Sequence, residues 1–358
     1  MITGIDHVEF YVGDARQASF YLCSALGFRL CAETGAGHGR PGQRSLLLRQ
    51  GGIRLLMTSA LTEDAAAARY VARHGDGAAV IAFGADDART AFHEAVARGA
   101  RPVREPAEYA DADARVVVAE VAGFGDVTHR FVERHGDREA FLPGVSRHLA
   151  PDPEEGENLL RVVDHIAVCV PAGELDTTVE HYEKAFGFTQ VFEEYIEVGA
   201  QAMNSKVVQS DSGGVTFTVL EPDTTHAPGQ IDDFIGRHGG AGVQHLAFLT
   251  DDIFTAVGRL QERGTRFLTT PGGYYDTVTD RVGATDVDLA ALRRHHVLID
   301  RDHWGEILQI FTQSMHVRRT YFMEVVQRRG ARSFGSGNIR ALYEAVERDS
   351  ARTAQAGV

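Results

Sequence analysis

The 358-residue sequence has only three cysteines, Cys23, Cys31 and Cys169. Their odd number and their spacing fit neither a disulfide framework nor a metal motif, so they are expected to be small apolar core residues in a reducing compartment. No apolar run approaches the roughly 20 residues of a membrane-spanning helix, and the N-terminus lacks the basic and apolar regions of a signal peptide. The sequence therefore predicts a cytoplasmic protein with no membrane partner.

Positive charge is also scarce. There are 36 Lys and Arg residues against 50 Asp and Glu residues, which gives a formal net charge of −14. A surplus of negative charge repels polyanions, so neither nucleic acid nor an anionic membrane surface is expected as a partner. The composition favours a role with small molecules, and it leaves a homo-oligomer open.

The two halves of the sequence repeat one another. The stretch "GDGAAVIAFGADD" returns later as "GAGVQHLAFLTDD", and "DHVEFYV" from Asp6 returns as "DHIAVCV" from Asp164. The join is expected in "LAPDPEEGENLL", where Pro, Gly and acidic residues cluster. We therefore predict two homologous domains, residues 1–150 and residues 151–358.

Strands and amphipathic helices follow in the same order in both halves. The second half has a strand at "DHIAVCV", a helix at "LDTTVEHYEKAFGF" and strands at "AQAMNSKVVQS" and "GVTFTVLEP". A strand at "VQHLAFLT", a helix at "DDIFTAVGRLQERG" and strands at "HHVLIDRD", "EILQIFT" and "TYFMEVVQRR" come next, and "SGNIRALYEAVERD" is expected to form a closing helix. The predicted fold class is α+β, with tandem β-α-β-β-β modules whose sheets curl around an active site in the C-terminal half.

Three strands of the second half each carry one ionisable side chain among small or apolar neighbours: His165, His245 and Glu324. A carboxylate on a buried face is costly unless a cation or a donor meets it. Two histidines and one carboxylate on one face of a metal leave its other positions open, as non-haem Fe(II) oxygen chemistry requires. These three residues are therefore the candidate metal ligands.

The first half lacks this set. It retains His7, but Val80 stands where the second half has His245, and no stretch after "RFVERHGDREAF" matches the strand with Glu324. An incomplete ligand set loses its metal, so the first half is expected to be a structural domain. Alternatives remain for the second half: each histidine could be hydrogen-bonded to the chain, Glu324 could be solvated or paired with Arg328, and two His and one Glu with water also describe a hydrolytic zinc site. The chain lacks a His-Glu-x-x-His helix, which weighs against zinc.

Over nearly its full length the sequence resembles the family of 4-hydroxyphenylpyruvate dioxygenase and 4-hydroxymandelate synthase, in the vicinal-oxygen-chelate superfamily. The stretches that carry the resemblance are "DHIAVCV", "GQIDDF", "GAGVQHLAF", "FLTTPGGYYD", "DRDHWGEILQIFT", "FMEVVQRRG" and "FGSGNIRALYEAVER". The resemblance implies an enzyme with Fe(II) held by His165, His245 and Glu324. It also implies the substrates 4-hydroxyphenylpyruvate, which chelates the iron through its carboxylate and keto oxygens, and O2, with release of CO2.

Members of this family differ in the carbon that they hydroxylate. The dioxygenase attacks the ring and yields homogentisate, whereas the synthase hydroxylates the benzylic carbon and yields 4-hydroxymandelate. Here Gly337-Asn338-Ile339 stands where the dioxygenase has Gly-Asn-Phe, and Thr218 and Leu220 stand where it has Pro-x-Asn. An aliphatic residue in place of the flat aromatic would let the ring shift, and the missing amide would remove a polar group that could hold the ring-attack pose. The resemblance therefore favours benzylic hydroxylation, with neutral core drift as the alternative.

Further pocket residues follow from the resemblance, position by position. Gln309 shares a strand face with Phe311, and these two residues with Ile339 are assigned to catalysis. The closing helix is expected to exclude water during the reaction. The positions expected to bind or enclose substrate are Ser205, Thr218, Leu220, Gln230, Phe334 and Asn338.

A binding protein of the same superfamily, which sequesters a metabolite without turnover, is the alternative from another functional class. The complete ligand set weighs against it, because sequestration needs no open iron site. By the resemblance, a mandelate-forming enzyme would serve hydroxyphenylglycine supply for peptide antibiotics.

Overall fold

The structure, a computed structural model, describes residues 1–35, 41–137, 140–149 and 157–341. These residues form two mixed β-sheets with helices packed against them, which confirms the predicted α+β class and the repeated β-α-β-β-β modules. The predicted domain boundary lies outside the described residues, as does most of the predicted closing helix. None of the described helices has both the length and the apolar character needed to cross a bilayer.

Within the described residues, nine strands form the first sheet: β1 (Ile2–Tyr11), β2 (Arg29–Thr34), β3 (Gln43–Gln50), β4 (Ile53–Ala60), β5 (Gly77–Ala85), β6 (Pro102–Ala110), β7 (Ala114–Ala122), β8 (Thr128–Gly136) and β9 (Arg147–His148). Their order across the sheet is β6-β7-β8-β5-β1-β4-β3-β2-β9. The helices between them are α1 (Ala15–Leu26), α2 (Ala66–His74) and α3 (Ala88–Ala97).

The second sheet has eight strands in the part of the chain that is described: β10 (Val162–Cys169), β11 (Thr189–Val198), β12 (Gln201–Gln209), β13 (Thr216–Pro222), β14 (Gly242–Leu249), β15 (Leu298–Arg301), β16 (Glu306–Phe311) and β17 (Phe322–Arg329). Their order is β11-β12-β13-β10-β14-β17-β16-β15. The helices are α4 (Leu175–Phe186), α5 (Gln230–His238), α6 (Ile253–Glu262), α7 (Gly272–Tyr275), α8 (Val278–Val282), α9 (Leu289–His295) and a last one at residues 336–341.

Apart from β9 at the edge of the first sheet, the two sheets have the same strand order when one is read in reverse, so β8 in the first half corresponds to β17 in the second. The strand that corresponds to that of Glu324 is therefore "THRFVERHG", whereas the sequence predicted only that no stretch after "RFVERHGDREAF" would match it. Ala82 pairs with Arg130 across parallel strands just as Ala247 pairs with Glu324. Sequence similarity missed this match because the counterpart of the glutamate is an arginine of opposite charge.

Local signals explain where most helices begin and end. The carboxylate of Asp252 accepts from the backbone N–H groups of Phe254 and Thr255 at the start of α6. Gly187 closes α4 with φ of 70°, a left-handed conformation that favours glycine. The predicted strand "HHVLIDRD" is shorter than expected, because His295 ends α9 and His296 adopts φ of 58° before the strand begins.

One continuous hydrophobic core runs through both halves. Tyr182 of the second half is fully buried, and its hydroxyl lies 2.8 Å from Nε2 of His129 of the first half. Burying an aromatic side chain of this kind contributes about 1.5–3 kcal/mol of hydrophobic free energy. The halves are thus held together by packing as well as by the chain that joins them.

Candidate metal centre

Three adjacent strands bring the candidate ligands together. His165 on β10 pairs with Ala247 on β14, and Ala247 pairs in turn with Glu324 on β17, so their side chains lie on one face of the sheet. His245 lies on the same face of β14, two residues before Ala247. Nε2 of His165 is 3.3 Å from Oε2 of Glu324, and Nε2 of His245 is 3.2 Å from the same oxygen. All three residues are buried.

The residues present fit a metal ion. The three ligand atoms lie within 4.8 Å of one another. Three ligands on one face of an octahedral ion, each about 2.1 Å from it, would be separated by about 3 Å, close to the observed distances. Oε1 of Glu324 is buried without a hydrogen-bond partner, which is costly for a carboxylate unless a cation meets it. Metal binding by these residues stays a prediction.

A carboxylate behind the first ligand orients its ring. Nδ1 of His165 lies 2.8 Å from Oδ1 of Asp164, so that nitrogen donates its hydrogen and Nε2 is left to face Glu324. The guanidinium of Arg328 donates two bonds of 2.7 Å to Asp164. Burial opposes the charge, yet Arg328 and His165 hold the pKa of the Asp164 carboxyl below its usual range. Arg328 therefore pairs with Asp164, and it does not make the pair with Glu324 that the sequence left open.

The protonation of the ligands shows that the site favours a positive charge. Burial by itself would lower the pKa of His165, but the carboxylates of Glu324 and Asp164 outweigh it and raise that pKa to about 9. Burial opposes the charge of Glu324 as well, and the two histidines still lower its pKa. The two histidines and the glutamate thus favour a positive charge between them, which a bound cation would supply in place of a proton.

A cavity of about 420 Å³ lies beside His245. None of the described residues that line it is a lysine, arginine, aspartate or glutamate. The lining residues are Val198, Gln201, Met203, Leu220, Gln230, Ile231, Gln244, His245, Leu268, Leu298, Phe311, Phe322, Asn338 and Ile339. Five of the residues expected to bind or transform substrate are therefore in the wall: Leu220, Gln230, Phe311, Asn338 and Ile339.

Four other expected residues are not part of this lining: Ser205, Thr218, Gln309 and Phe334. Ser205 pairs with Leu220 across the sheet, and both Ser205 and Thr218 are buried. The ring of Phe334 lies edge-on to His165, with ring centroids 5.1 Å apart, and lines a separate cavity of about 610 Å³. A role for these residues in binding or gating stays a prediction.

Gln309 reaches the cavity wall through a chain of hydrogen bonds. Its side-chain oxygen accepts from the Asn338 amide at 3.1 Å, and the Tyr274 hydroxyl donates to the Asn338 oxygen at 2.6 Å. Tyr274 is fully buried. A buried tyrosine hydroxyl needs a polar partner, but that partner is 64 residues away in sequence, so the sequence could not identify it.

The first half fills the equivalent space with its own side chains. Nη1 of Arg130 lies 2.9 Å from Nε2 of His7 and 2.8 Å from the carboxylate of Glu9. Nε of Arg130 lies 2.7 Å from Glu120. The remaining cavity there is only about 10 Å³. A guanidinium with its own carboxylate partners thus takes up the position, which gives a physical basis for expecting no metal site there; that expectation stays a prediction.

Comparison with known proteins agrees with the family resemblance seen in the sequence. Residues 1–143 match the family described as "Hydroxyphenylpyruvate dioxygenase, HPPD, N-terminal", and residues 162–290 match the "Glyoxalase/Bleomycin resistance protein/Dioxygenase superfamily". A 4-hydroxyphenylpyruvate dioxygenase of Dictyostelium discoideum is 35% identical over 96% of this chain and 97% of its own length. One of Caenorhabditis elegans is 34% identical over 96% of this chain and 90% of its own.

Among solved structures, a triple mutant of 4-hydroxymandelate synthase from Streptomyces coelicolor is similar with a TM-score of 0.86 and 45% identity. The match covers 98% of this chain and 99% of that chain. This chain is therefore an enzyme that belongs to the 4-hydroxyphenylpyruvate dioxygenase and 4-hydroxymandelate synthase family of the vicinal-oxygen-chelate superfamily.

Proposed function

We propose that this enzyme converts 4-hydroxyphenylpyruvate and O2 into 4-hydroxymandelate and CO2, with Fe(II) held by His165, His245 and Glu324. The observation that carries the proposal is the buried facial arrangement of these three ligands beside an uncharged cavity. When bound, Fe(II) would supply the activation of O2 and the oxidative decarboxylation of the 2-oxo acid. The remaining coordination positions are left for the substrate and O2.

The cavity wall supports an aromatic 2-oxo acid as substrate. Because no described lining residue is cationic, a substrate carboxylate finds its counter-charge at the ligand site, which sets the direction in which the molecule enters. Phe311 and Phe322 offer aromatic surface beside His245, with ring centroids 5.9 and 5.0 Å from the imidazole. The amide of Gln230 is available to a ring hydroxyl, whereas the amide of Asn338 in the same wall is already bonded to Gln309 and Tyr274.

Two aliphatic residues favour attack at the benzylic carbon. Leu220 and Ile339 both line the cavity and pack against the same hydrophobic cluster. The homogentisate-forming pattern has an amide and a flat aromatic ring at these two positions. Leu220 and Ile339 provide neither, so the substrate ring is free to shift and to present its side-chain carbon to the metal. The structure that is 45% identical also has the name of a 4-hydroxymandelate synthase.

The product test uses the iron-loaded protein with 4-hydroxyphenylpyruvate and O2, followed by chromatographic separation. We expect 4-hydroxymandelate as the main product, with one CO2 released for each O2 consumed. Homogentisate as the main product would support the second candidate, a 4-hydroxyphenylpyruvate dioxygenase, which the relatives at 34 and 35% identity favour. No O2 uptake with bound substrate would instead indicate a binding protein.

A variant tests the basis of the selectivity. Ile339→Phe restores an aromatic ring in the wall and is expected to move part of the product to homogentisate, whereas the matched control Ile339→Leu keeps an aliphatic side chain and the original product. An unchanged product ratio in Ile339→Phe would show that the selectivity lies in other residues. By the family resemblance, the proposed product would supply hydroxyphenylglycine for peptide antibiotics.

A further inference from the structure

Two equivalent helices meet at their C-terminal ends where the two halves are in contact. α2 of the first half ends at His74, and α5 of the second half ends at His238. The two imidazoles are stacked, with ring centroids 4.3 Å apart and planes inclined by 20°. Both histidines are buried, at 1% and 2% exposure. This buried pair of histidines lies at the contact between the two halves, and it is not part of the candidate metal centre.

His74 has a hydrogen-bond acceptor at each ring nitrogen. Nδ1 lies 2.7 Å from the backbone oxygen of His238, and Nε2 lies 2.8 Å from Oδ2 of Asp126. Nδ1 of His74 thus binds the second half of the chain, and Nε2 binds the first half. The bond from His74 is the largest cause of the lowered pKa of the Asp126 carboxyl. His74 thus supplies a partner for a carbonyl group at the C-terminal end of α5, where a helix leaves such groups without intrahelical partners.

His238 connects His74 to the other buried side chains of α5. Burial and the charge of His74 lower the pKa of His238 to about 4, so that its ring is neutral. The ring of His238 also stacks on Phe234, with ring centroids 5.2 Å apart and planes inclined by 14°. Phe234 packs in one cluster with Ile231, which lines the substrate cavity. A continuous row of packed side chains therefore joins the first half to the cavity wall.

A side chain of the second half likewise binds the C-terminal end of α2. Nη1 of Arg318, from the second half, donates to the backbone oxygen of Arg73 at 2.7 Å in the last turn of α2. Each of the two helices thus has a carbonyl group at its C-terminal end bonded to a side chain of the other half. Arg318 lies four residues before Phe322, which lines the cavity beside His245.

Building on the proposed function, we propose that His74, held by Asp126, is a positioning residue that fixes α5 and thereby keeps Gln230 and Ile231 in place in the cavity wall. A helix of nine residues is about 13 Å long and moves as a rod, so a shift at its C-terminal end displaces the residues of its first turn. Displacements of about 1 Å can reduce rates by about 100-fold when they misplace a substrate. In this way the first half influences substrate binding through α5, although it contributes none of the described residues that line the cavity.

The main test is His74→Phe, which keeps a ring to stack on His238 but removes both hydrogen bonds. In the iron-loaded enzyme we expect KM for 4-hydroxyphenylpyruvate to rise about 10-fold, kcat to fall less than about threefold, and more O2 to be consumed per hydroxylated product. The metal content is expected to stay at the level of the unsubstituted protein. Arg237→Ala changes an exposed charge in the last turn of the same helix and is the matched control, with unchanged kinetics expected.

A second pair of variants keeps the test decisive if His74→Phe fails to fold. Asp126 is about half exposed, so its replacement leaves the core intact. Asp126→Ala is expected to raise KM in the same direction, and Asp126→Asn to restore it, because an amide can donate to Nε2 while Nδ1 still bonds to His238. A KM and an O2-to-product ratio like those of the unsubstituted enzyme in Asp126→Ala would overturn the proposal. Failure of the proposed function would appear differently, as an absence of turnover in the unsubstituted protein.

Discussion

Arg130 lies against His7 as Glu324 lies against His165, with the opposite charge. Nη1 of Arg130 is 2.9 Å from Nε2 of His7, and the strand register makes Arg130 the counterpart of Glu324. The first half therefore supplies a permanent cation at the position where the second half gathers ligands for one. The carboxylates around Arg130 balance that charge, so this part of the fold is complete without an ion.

Removing this cation should destabilise the protein strongly. Arg130→Met removes the guanidinium that balances the buried carboxylate of Glu9 and the partly buried one of Glu120, and breaking a buried pair in this way costs about 3–5 kcal/mol. Urea unfolding of the variant and the unsubstituted protein measures the difference. Arg98→Ala, which removes an exposed ion pair on α3, is the control and should change the free energy of unfolding little. Equal effects of the two substitutions would contradict a special role for Arg130.

We expect the second half of the chain to bind a metal ion and the first half to bind none. After reconstitution with Fe(II) and desalting, we expect one ion per chain, and none after His245→Ala, because two remaining ligands hold the ion too weakly. His7→Gln is the matched substitution in the first half and should leave one ion bound, since Arg130 already takes that position. Elemental analysis by mass spectrometry measures both. Loss of metal in His7→Gln with retained fold would contradict the assignment.

Much of this architecture could be predicted from the sequence because it rests on local patterns. The duplication, the alternation around His165 and His245, and caps such as Asp252 and Gly187 are visible in short stretches, and they gave the fold class and the convergence of the ligands. The counterpart of Glu324 was not predicted, because a change from glutamate to arginine erases the similarity. Only the pairing of parallel strands shows which residues correspond.

Most of the features that could not be predicted from the sequence are contacts between residues far apart along the chain. The pair of Asp164 with Arg328 spans 164 positions, and so does the bond from His74 to the backbone of His238. Tyr274 could be recognised as buried, but its partner could not. Hydrogen bonds of this kind depend on how the sheets curl and pack, and that information is absent from the periodicity of any one strand.

Asp164 should control metal affinity without binding the metal itself. Asp164→Asn removes the charge that orients and polarises the imidazole of His165, and losses of this kind lower metal affinity by about 10- to 100-fold. Competition with a chelator of known affinity measures the change. Asp6→Asn alters the equivalent aspartate beside His7 and is the matched control, with unchanged metal affinity expected. Equal affinity in both variants would contradict the role of Asp164.

The same aspartate in the first half should make stability depend on pH. Burial opposes the charge of Asp6, but Arg134 and His7 hold its pKa well below the usual value of 3.8. As the pH falls below about 4, the unfolded chain takes up a proton at Asp6 before the folded chain does, so the stabilisation by Asp6 is complete above that pH and is lost below it. The Asp6→Asn variant lacks this pH-dependent stabilisation. The difference in free energy of unfolding between the metal-free unsubstituted protein and Asp6→Asn should therefore be constant above about pH 5 and shrink toward pH 2, as measured by urea titrations. A difference that stays constant down to pH 2 would mean that the folded state does not depress the pKa of Asp6.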